Sequence, residues 1–249
     1  MHRFFLEGQD FKQEILVFPK NISHQIRHVL RLERGEQVGV LDGAGHTAVV
    51  EIRDLESELV VGKVIKLKEF VTVSSVRLHL QFPLSRREKV EWILQKATEV
   101  GVASFQPYTS RRTLVRDVSL KTSRRERWET IIREAAEQSR RSFLPDFHSP
   151  KDLSSIVEKI QTPGQICLAG DVGALQSLGE VLSSLSPNIG ELSLIVGPEG
   201  GFEEAELISL KDAGVRLFSL GSRVLRIETA AVVIPALILY ALGGFGTSE

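Results

Sequence analysis

The chain has 249 residues, of which 42% are hydrophobic and 25% charged, and its formal net charge is −1. This balance excludes a disordered chain and predicts a globular protein with one large domain or a large and a small one. The one cysteine, Cys167, excludes an intramolecular disulfide, and its apolar surroundings favour a buried hydrophobe over a nucleophile. The apolar stretch 229–242 is shorter than the roughly 20 residues of a membrane span and contains Pro235. Without a signal peptide or a membrane span, we expect a cytoplasmic protein.

The charges are unevenly distributed. Residues 77–141 carry 15 Lys and Arg against 8 Asp and Glu, whereas residues 142–249 carry 6 against 13. Arginine outnumbers lysine 20 to 11, and its planar guanidinium suits bidentate phosphate contacts. In the basic block the arginines come in pairs: Arg86-Arg87, Arg111-Arg112, Arg124-Arg125 and Arg140-Arg141. We interpret the block as a surface for a nucleic-acid backbone, with solvated helix faces as the alternative.

The first 72 residues read as a small β-rich unit around one amphipathic helix. The predicted strands are 14–18, 37–43, 47–52 and 59–65, and the predicted helix is 22–32. Short strands curled around one helix suggest a small barrel. The helix carries Arg27 and Arg31, which together with Arg86, Arg87, Arg140 and Arg141 are the candidate RNA-binding residues.

After a predicted linker at 69–75, strands and helices alternate. The predicted strands are 76–82, 165–169, 192–196 and 215–220. Two capping boxes, Ser85-Arg86-Arg87-Glu88 and Ser123-Arg124-Arg125-Glu126, are expected to open helices, and a further helix is expected over 203–213. Such alternation predicts an α/β fold with a mostly parallel sheet covered on both faces.

Two glycine-containing segments, 195–202 and 220–230, each place a strand end against a glycine turn and a helix start. This is where an open α/β sheet usually holds a ligand. The sequence Gly-Pro-Glu-Gly-Gly lacks the spacing of a P-loop and of a dinucleotide fingerprint, and no metal site is predicted. Arg226 and Glu228 stand at the mouth of an apolar helix, where charges cost stability unless they serve binding or catalysis.

The two segments closely resemble signatures of the RsmE family, SPOUT-class methyltransferases that methylate N3 of a uridine in small-subunit ribosomal RNA. Further matches are 28–31, 95–102 and 134–141, so the resemblance spans nearly the whole chain. Ser222 and Ile227 stand where the family more often has Pro and Thr, next to the retained Arg-x-Glu-Thr.

The resemblance implies a PUA-like RNA-binding β-barrel at 1–72 and a trefoil-knotted SPOUT methyltransferase domain at 73–249. It also implies a homodimer that binds S-adenosyl-L-methionine and acts on 16S ribosomal RNA of the small subunit, without a metal. By position, the cofactor-binding residues are Leu168, Ala169, Gly170, Gly197, Gly201, Leu220, Gly221 and Leu225.

The reaction on uracil requires loss of the proton that N3 holds at neutral pH. A carboxylate base beside an arginine suits this step, and the candidate catalytic residues are Glu228 with Arg226, then Glu199. A structural ion pair between Glu228 and Arg226 is the alternative. Ribose 2′-O-methylation, or RNA binding without catalysis, are the alternative functions, and the glycine segments argue against the latter.

Overall fold

The computed structural model describes the chain except residues 7–10, 44, 69–75, 116–117, 161–165, 187–188 and 246–249; the predicted linker therefore lies outside the described residues. Internal contacts divide the described chain into two compact units. The first contains residues of 1–72 and the segment 136–144, and the second contains residues of 73–135 and 145–247. The segment 136–144 thus groups with the N-terminal unit. Within the described residues, no helix is both long and apolar enough to cross a membrane.

The first unit contains a five-stranded sheet in the order β1-β3-β4-β5-β2. Its strands are β1 (Arg3–Phe5), β2 (Ile15–Val17), β3 (Gln37–Leu41), β4 (Thr47–Asp54) and β5 (Val61–Lys68). Helix α1 (Lys20–His24) continues as a π-helical turn (Gln25–Val29) and ends near Arg31, which has a φ of 51°. The predicted helix is therefore shorter and less regular than expected, but Ile22 and Ile26 still pack into the core of the sheet. This arrangement agrees with the predicted barrel.

The second unit is built on a parallel sheet in the order β12-β10-β11-β6-β7-β8, with β9 beside β7. Its strands are β6 (Arg77–Pro83), β7 (Ser104–Thr109), β8 (Asp146–Phe147), β9 (Lys151–Asp152), β10 (Ile166–Gly170), β11 (Glu191–Val196) and β12 (Arg216–Phe218). The prediction of an α/β fold with a mostly parallel sheet is confirmed. Strand β7 was missed because it contains Pro107, and a proline inside a segment argues against predicting a central strand there.

Six helices flank this sheet: α2 (Arg87–Val100), α3 (Thr122–Gln138), α4 (Leu153–Ile160), α5 (Leu178–Ser183), α6 (Glu204–Asp212) and α7 (Ile227–Ala241), counted over the described residues. Both predicted capping boxes are wrong. Helix α2 has Arg86 as its N-cap without a side-chain hydrogen bond, and Ser123 lies inside α3. The hydroxyl of Ser85 has a different partner, described below.

The strand order decides where the loops meet. Strands β12, β10, β11 and β6 are parallel neighbours, so the segments that follow them all leave the same edge of the sheet. Helix α7 packs on α2 and on β6 and β11, and it begins at this same edge. Residues far apart in sequence are thereby brought together around the carboxyl ends of four strands.

Candidate active site

A cavity of about 770 Å³, including its open mouth, lies at the carboxyl edge of the parallel sheet. Residues of the loops after β10, β11 and β12 line it, together with three apolar side chains of α7: Ile227, Ala230 and Ile234. The volume falls in the range of small-molecule sites, about 300–1,000 Å³.

Most of the predicted cofactor-binding residues reach this cavity. Its lining contains six of the eight: Gly170, Gly197, Gly201, Leu220, Gly221 and Leu225. The other two, Leu168 and Ala169, are fully buried inside β10, where their side chains pack into the cores on opposite faces of the sheet. Because only the end of a strand faces the loops, the structure brings Gly170 to the cavity and leaves its two predecessors in the core.

Two of the lining glycines are required for different reasons. Gly221 has a φ of +87°, which L side chains rarely adopt, and a Cβ built on it meets no atom within 4 Å. A Cβ on Gly197 would lie 3.1 Å from Cε2 of Phe202 and 3.5 Å from the carbonyl oxygen of Gly170. Gly221 therefore allows a backbone conformation that other residues rarely adopt, next to open space. Gly197 allows the loops after β10 and β11 to approach each other closely.

Two hydrogen bonds from β7 and the segment after it hold the glycine loop in place. The hydroxyl of Tyr108 donates to the carbonyl oxygen of Val196 over 2.6 Å, and burial raises the pKa of this phenol well above its usual range. The side chain of Arg112 donates to the carbonyl oxygen of Gly200 over 2.9 Å. The neutral phenol and the guanidinium thus fix the backbone on both sides of Glu199.

Glu199 and Glu228 meet at a lysine that the sequence analysis did not single out. The ammonium nitrogen of Lys89 lies 3.3 Å from Oε1 of Glu199 and 3.2 Å from Oε2 of Glu228. All three side chains are partly buried, with exposed fractions of 30% for Lys89, 23% for Glu199 and 20% for Glu228. The Ser85 hydroxyl donates to the same Oε1 of Glu199 over 2.7 Å.

The two carboxylates differ in their hydrogen bonds. Burial raises the pKa of Glu199, but hydrogen bonds from Ser85, from its own backbone N–H and from Lys89 outweigh burial and lower it overall. Oε2 of Glu228 is buried and accepts no hydrogen bond, although it lies within ion-pair distance of Lys89. The negative charge of Glu199 is therefore stabilised by several hydrogen bonds, whereas the charge on Oε2 of Glu228 is stabilised by the ammonium of Lys89.

The structural ion pair between Arg226 and Glu228, which the sequence analysis gave as the alternative to catalysis, is not among the ion pairs of the described residues. Arg226 is the exposed N-cap of α7, and the ion pair that the structure gives Glu228 is with Lys89. Residues two apart at a helix start do not face each other, whereas the packing of α2 on α7 brings Lys89 to Glu228. A second arginine, Arg223, is exposed and lines the cavity; the sequence analysis placed it in the motif but gave it no role.

The candidate RNA-binding arginines of the first unit divide into exposed and engaged side chains. Arg31 and Arg140 are exposed. Arg27 donates to backbone carbonyls in the segment 57–58. Arg141 is only partly exposed, and burial lowers the pKa of its guanidinium to about 10. Arg31 and Arg140 are thus the more exposed of these four arginines.

In the second unit the candidate pair differs in the same way. Arg86 is exposed at the start of α2. Arg87 donates to Glu91 over 2.6 Å, and hydrogen bonds from Arg127 and then Arg87 lower the pKa of Glu91 to about 2. Both arginines are exposed, and the guanidinium of Arg87 is the one that pairs with a carboxylate.

Comparison with known proteins agrees with this fold and site. A model of the RNA methyltransferase domain family matches residues 72–239, which is more than half of the chain. The second unit, with its glycine-lined cavity at the carboxyl edge, is therefore the domain of an RNA methyltransferase.

Individual relatives narrow the class. The ribosomal RNA small subunit methyltransferase E of Bacillus subtilis (strain 168) is 30% identical over 250 residues, with 96% of each chain covered. The protein of that name from Synechocystis sp. is 34% identical over 220 residues, covering 86% of this chain and 69% of the relative. The crystal structure of the Neisseria gonorrhoeae enzyme of that name, bound to S-adenosyl methionine, has a TM-score of 0.86 at 27% identity, covering 96% and 97% of the two chains. The chain belongs to the ribosomal RNA small subunit methyltransferase E family, and the predicted family and enzyme class are confirmed.

Proposed function

We propose that this protein transfers a methyl group from S-adenosyl-L-methionine to N3 of a uridine in 16S ribosomal RNA of the small subunit. One observation carries the proposal: Glu199 lines the cavity and is joined through Lys89 to Glu228. A group able to accept a proton thus lies beside a pocket built for a small ligand, as methylation of a protonated ring nitrogen requires.

The cavity residues fit this cofactor. An adenosine ring system needs apolar surface and backbone hydrogen bonds, which the α7 side chains and the glycine loops supply. The α-ammonium group and the sulfonium carry positive charges, and the lining contains the acidic residues Asp171 and Glu199. Leu168 and Ala169 support the site by holding Gly170 at the end of β10.

When bound, S-adenosyl-L-methionine supplies a methyl group on a positively charged sulfur, which keeps the bonding electrons and becomes a neutral thioether. The chain's own residues handle the proton of uracil N3. A carboxylate takes this proton, and the N3 lone pair forms the new bond to the methyl carbon as the bond from sulfur breaks.

We assign the base to Glu228. Glu199 already accepts hydrogen bonds from Ser85, its own backbone and Lys89, and these lower its pKa, which makes it a weaker proton acceptor than an ordinary glutamate. Oε2 of Glu228 has no hydrogen-bond donor. The exposed guanidinium groups of Arg226 and Arg223 stand in the segment before α7, where they can stabilise negative charge on the uracil carbonyl oxygens.

The proposal also includes how the protein binds RNA and that it forms a homodimer. The exposed Arg31, Arg86 and Arg140 contact phosphates, and the N-terminal unit serves as the PUA-like RNA-binding domain. Helix α7 carries the exposed apolar residues Val233, Leu237 and Tyr240 at spacings of four and three, which form one face. An unpartnered face of this kind supports a homodimer, which acts in the cytoplasm together with the small subunit.

The test is to incubate the protein with labelled S-adenosyl-L-methionine and either naked 16S ribosomal RNA or small subunits that lack the modification. Digestion and chromatography then identify the labelled nucleoside. We expect N3-methyluridine. A labelled 2′-O-methyl nucleoside would replace the proposal with ribose methylation. RNA binding without any transfer would identify a non-catalytic assembly factor.

A further inference from the structure

We propose that Lys89 is a positioning residue for proton transfer. Its ammonium holds Glu199 and Glu228 close together as two ionised carboxylates, and Ser85 fixes Glu199. The three charged side chains then carry a net charge of −1, and Glu228 is the carboxylate that accepts the proton. This inference rests on the proposed function and assigns roles to Lys89 and Ser85, which carry none in it.

The distances support a shared cation. Both carboxylate oxygens lie within 3.3 Å of one nitrogen, so they are no further apart than twice that distance. Carboxylates at such a separation disfavour each other's ionised form, and a cation between them offsets this effect. One ammonium against two carboxylates leaves a net charge of −1, and uptake of one proton makes the cluster neutral.

Ser85 makes the cluster asymmetric. Its hydroxyl donates to the same oxygen of Glu199 that Lys89 contacts, so this carboxylate is held from two sides. Glu228 has the contact with Lys89 but no hydrogen bond on its buried oxygen. The proton is therefore accepted at Glu228, while Glu199 keeps Lys89 in place.

The charge of Lys89 does not stabilise the helix to which it belongs. Lys89 lies in the first turn of α2, close to Arg86 and Arg87, and a cation at a helix N-terminus opposes the helix dipole. Glu228 lies in the first turn of α7, where the dipole favours a negative charge. Replacing Lys89 by a neutral residue thus relieves an unfavourable term in α2, so the variant should fold.

Other polar groups around the cluster do not replace this cation. Tyr108 on β7 is a neutral donor to a backbone carbonyl, and Arg112 also donates to a backbone carbonyl. Arg223 and Arg226, in the segment before α7, are exposed. Lys89 is the cation that the structure places within ion-pair distance of both glutamates.

The experiment compares Lys89→Met with Lys89→Arg, which keeps the charge. Lys96→Met is the matched control, because Lys96 lies on the same helix and pairs with Glu99 at 2.8 Å. Single-turnover methylation of 16S ribosomal RNA is measured from about pH 5.5 to about pH 8.5. At each pH the wild-type rate is divided by the rate of the variant. This ratio cancels the ionisation of uracil itself.

For Lys89→Met we expect the ratio to rise on the order of tenfold as the pH falls through this range, because the base is protonated at higher pH without its cation. At the alkaline end the ratio should approach one. Lys89→Arg and Lys96→Met should stay near one throughout, with cofactor affinity and the KM for RNA unchanged in all three. A pH-independent loss, or a change confined to KM, would show that Lys89 contacts the substrate and would overturn the proposal.

A second measurement does not depend on activity. NMR titration of ¹³C-labelled glutamate carboxyl groups should show one carboxyl that titrates at higher pH in Lys89→Met than in wild type, and Glu199→Gln and Glu228→Gln assign it. Lys89→Gln serves as well if the methionine variant does not fold. If no carboxyl titrates at higher pH in Lys89→Met than in wild type, and the enzyme makes N3-methyluridine, this inference is wrong and the proposed function stands. A shifted titration in a protein that methylates nothing sinks the proposed function and leaves the charge arrangement standing.

Discussion

The two edges of the parallel sheet in the second unit both carry polar clusters, yet only the carboxyl edge has the features of a site. At the amino edge, Arg77 lies 3.8 Å from Asp146, and His79 lies 3.9 Å from Glu191. Both acidic side chains are 64% exposed. At the carboxyl edge, Lys89 and its two glutamates are 20–30% exposed and one of the glutamates lines a cavity.

The difference follows from how the chain leaves the strands. At the amino edge Arg77, Glu191 and Asp146 are the first residues of β6, β11 and β8, so the aligned starts of the strands alone bring their charges near one another. At the carboxyl edge loops and helix starts add residues above the sheet, which reduces exposure and encloses space. Exposed ion pairs contribute about 0.2–1 kcal/mol, whereas partly buried charges interact more strongly and adjust their neighbours' proton affinity. The same residue types therefore form exposed ion pairs at one edge and a partly buried cluster, for which we propose a role in catalysis, at the other.

The largest expected effect is from Glu228→Gln. We expect a fall in single-turnover methylation rate of about 10²–10⁴-fold, because a general base is lost. The fold and cofactor affinity should persist, because Lys89 keeps its contact with Glu199 and no cation is left uncompensated. A higher pH should partly restore the rate, since solvent then ionises more of the uracil N3.

Glu191→Gln is the matched control at the amino edge, and its methylation rate should equal that of wild type. Melting curves of both variants complete the comparison. A normal rate in a destabilised Glu228→Gln protein would reduce Glu228 to a structural role.

Next in size is Gly221→Val. Valine at Gly221 is strained at a φ of +87° and projects into the open space beside the cavity lining, so we expect the cofactor affinity measured by calorimetry to fall at least about tenfold. Gly214→Val is the control: Gly214 has a φ of +81° and equally open surroundings, but it precedes β12 at the opposite edge. Equal cofactor affinity in the two variants would remove Gly221 from the binding site.

A smaller effect is expected from Arg86→Ala. The slope of log affinity for 16S ribosomal RNA against log salt should fall by about 0.7–0.9, the value for one phosphate contact. Arg77→Ala at the amino edge should leave the slope unchanged, because Arg77 is paired with Asp146 and is not one of the named candidate RNA-binding residues. Filter binding at several salt concentrations measures both, and equal slopes would make Arg86 a solvated residue.

The smallest effect is expected from Asp146→Asn. The ion pair with Arg77 is long and exposed, so its loss should lower the free energy of unfolding by less than about 1 kcal/mol, with the methylation rate unchanged. Urea unfolding gives the free energy. A larger loss would mean that the amino edge contributes more to stability than its exposure indicates.

Much of the fold and part of the site could be predicted from local pattern. Strands such as 192–196 were placed within a residue or two, because a continuous apolar run bounded by turns marks a buried strand. Six of the eight cofactor-binding positions that the family resemblance implied line the cavity. The capping box predicted at Ser85 is wrong and β7 was missed because tertiary contacts outweigh local preference: Ser85 donates a hydrogen bond to Glu199, and Pro107 is accommodated within the sheet.

The sequence by itself determined the α/β class, the family, the glycine turns and the presence of Glu199 and Glu228 near a strand end and a helix start. Only the tertiary structure decided which charges meet. Lys89 is 110 residues from Glu199 in the chain, and no local periodicity relates them. Their contact exists because β6 and β11 are parallel neighbours and α2 packs on α7, which places three separate chain segments at one edge of the sheet. Arg226, only two residues from Glu228, is the N-cap of α7, and residues two apart at a helix start do not face each other.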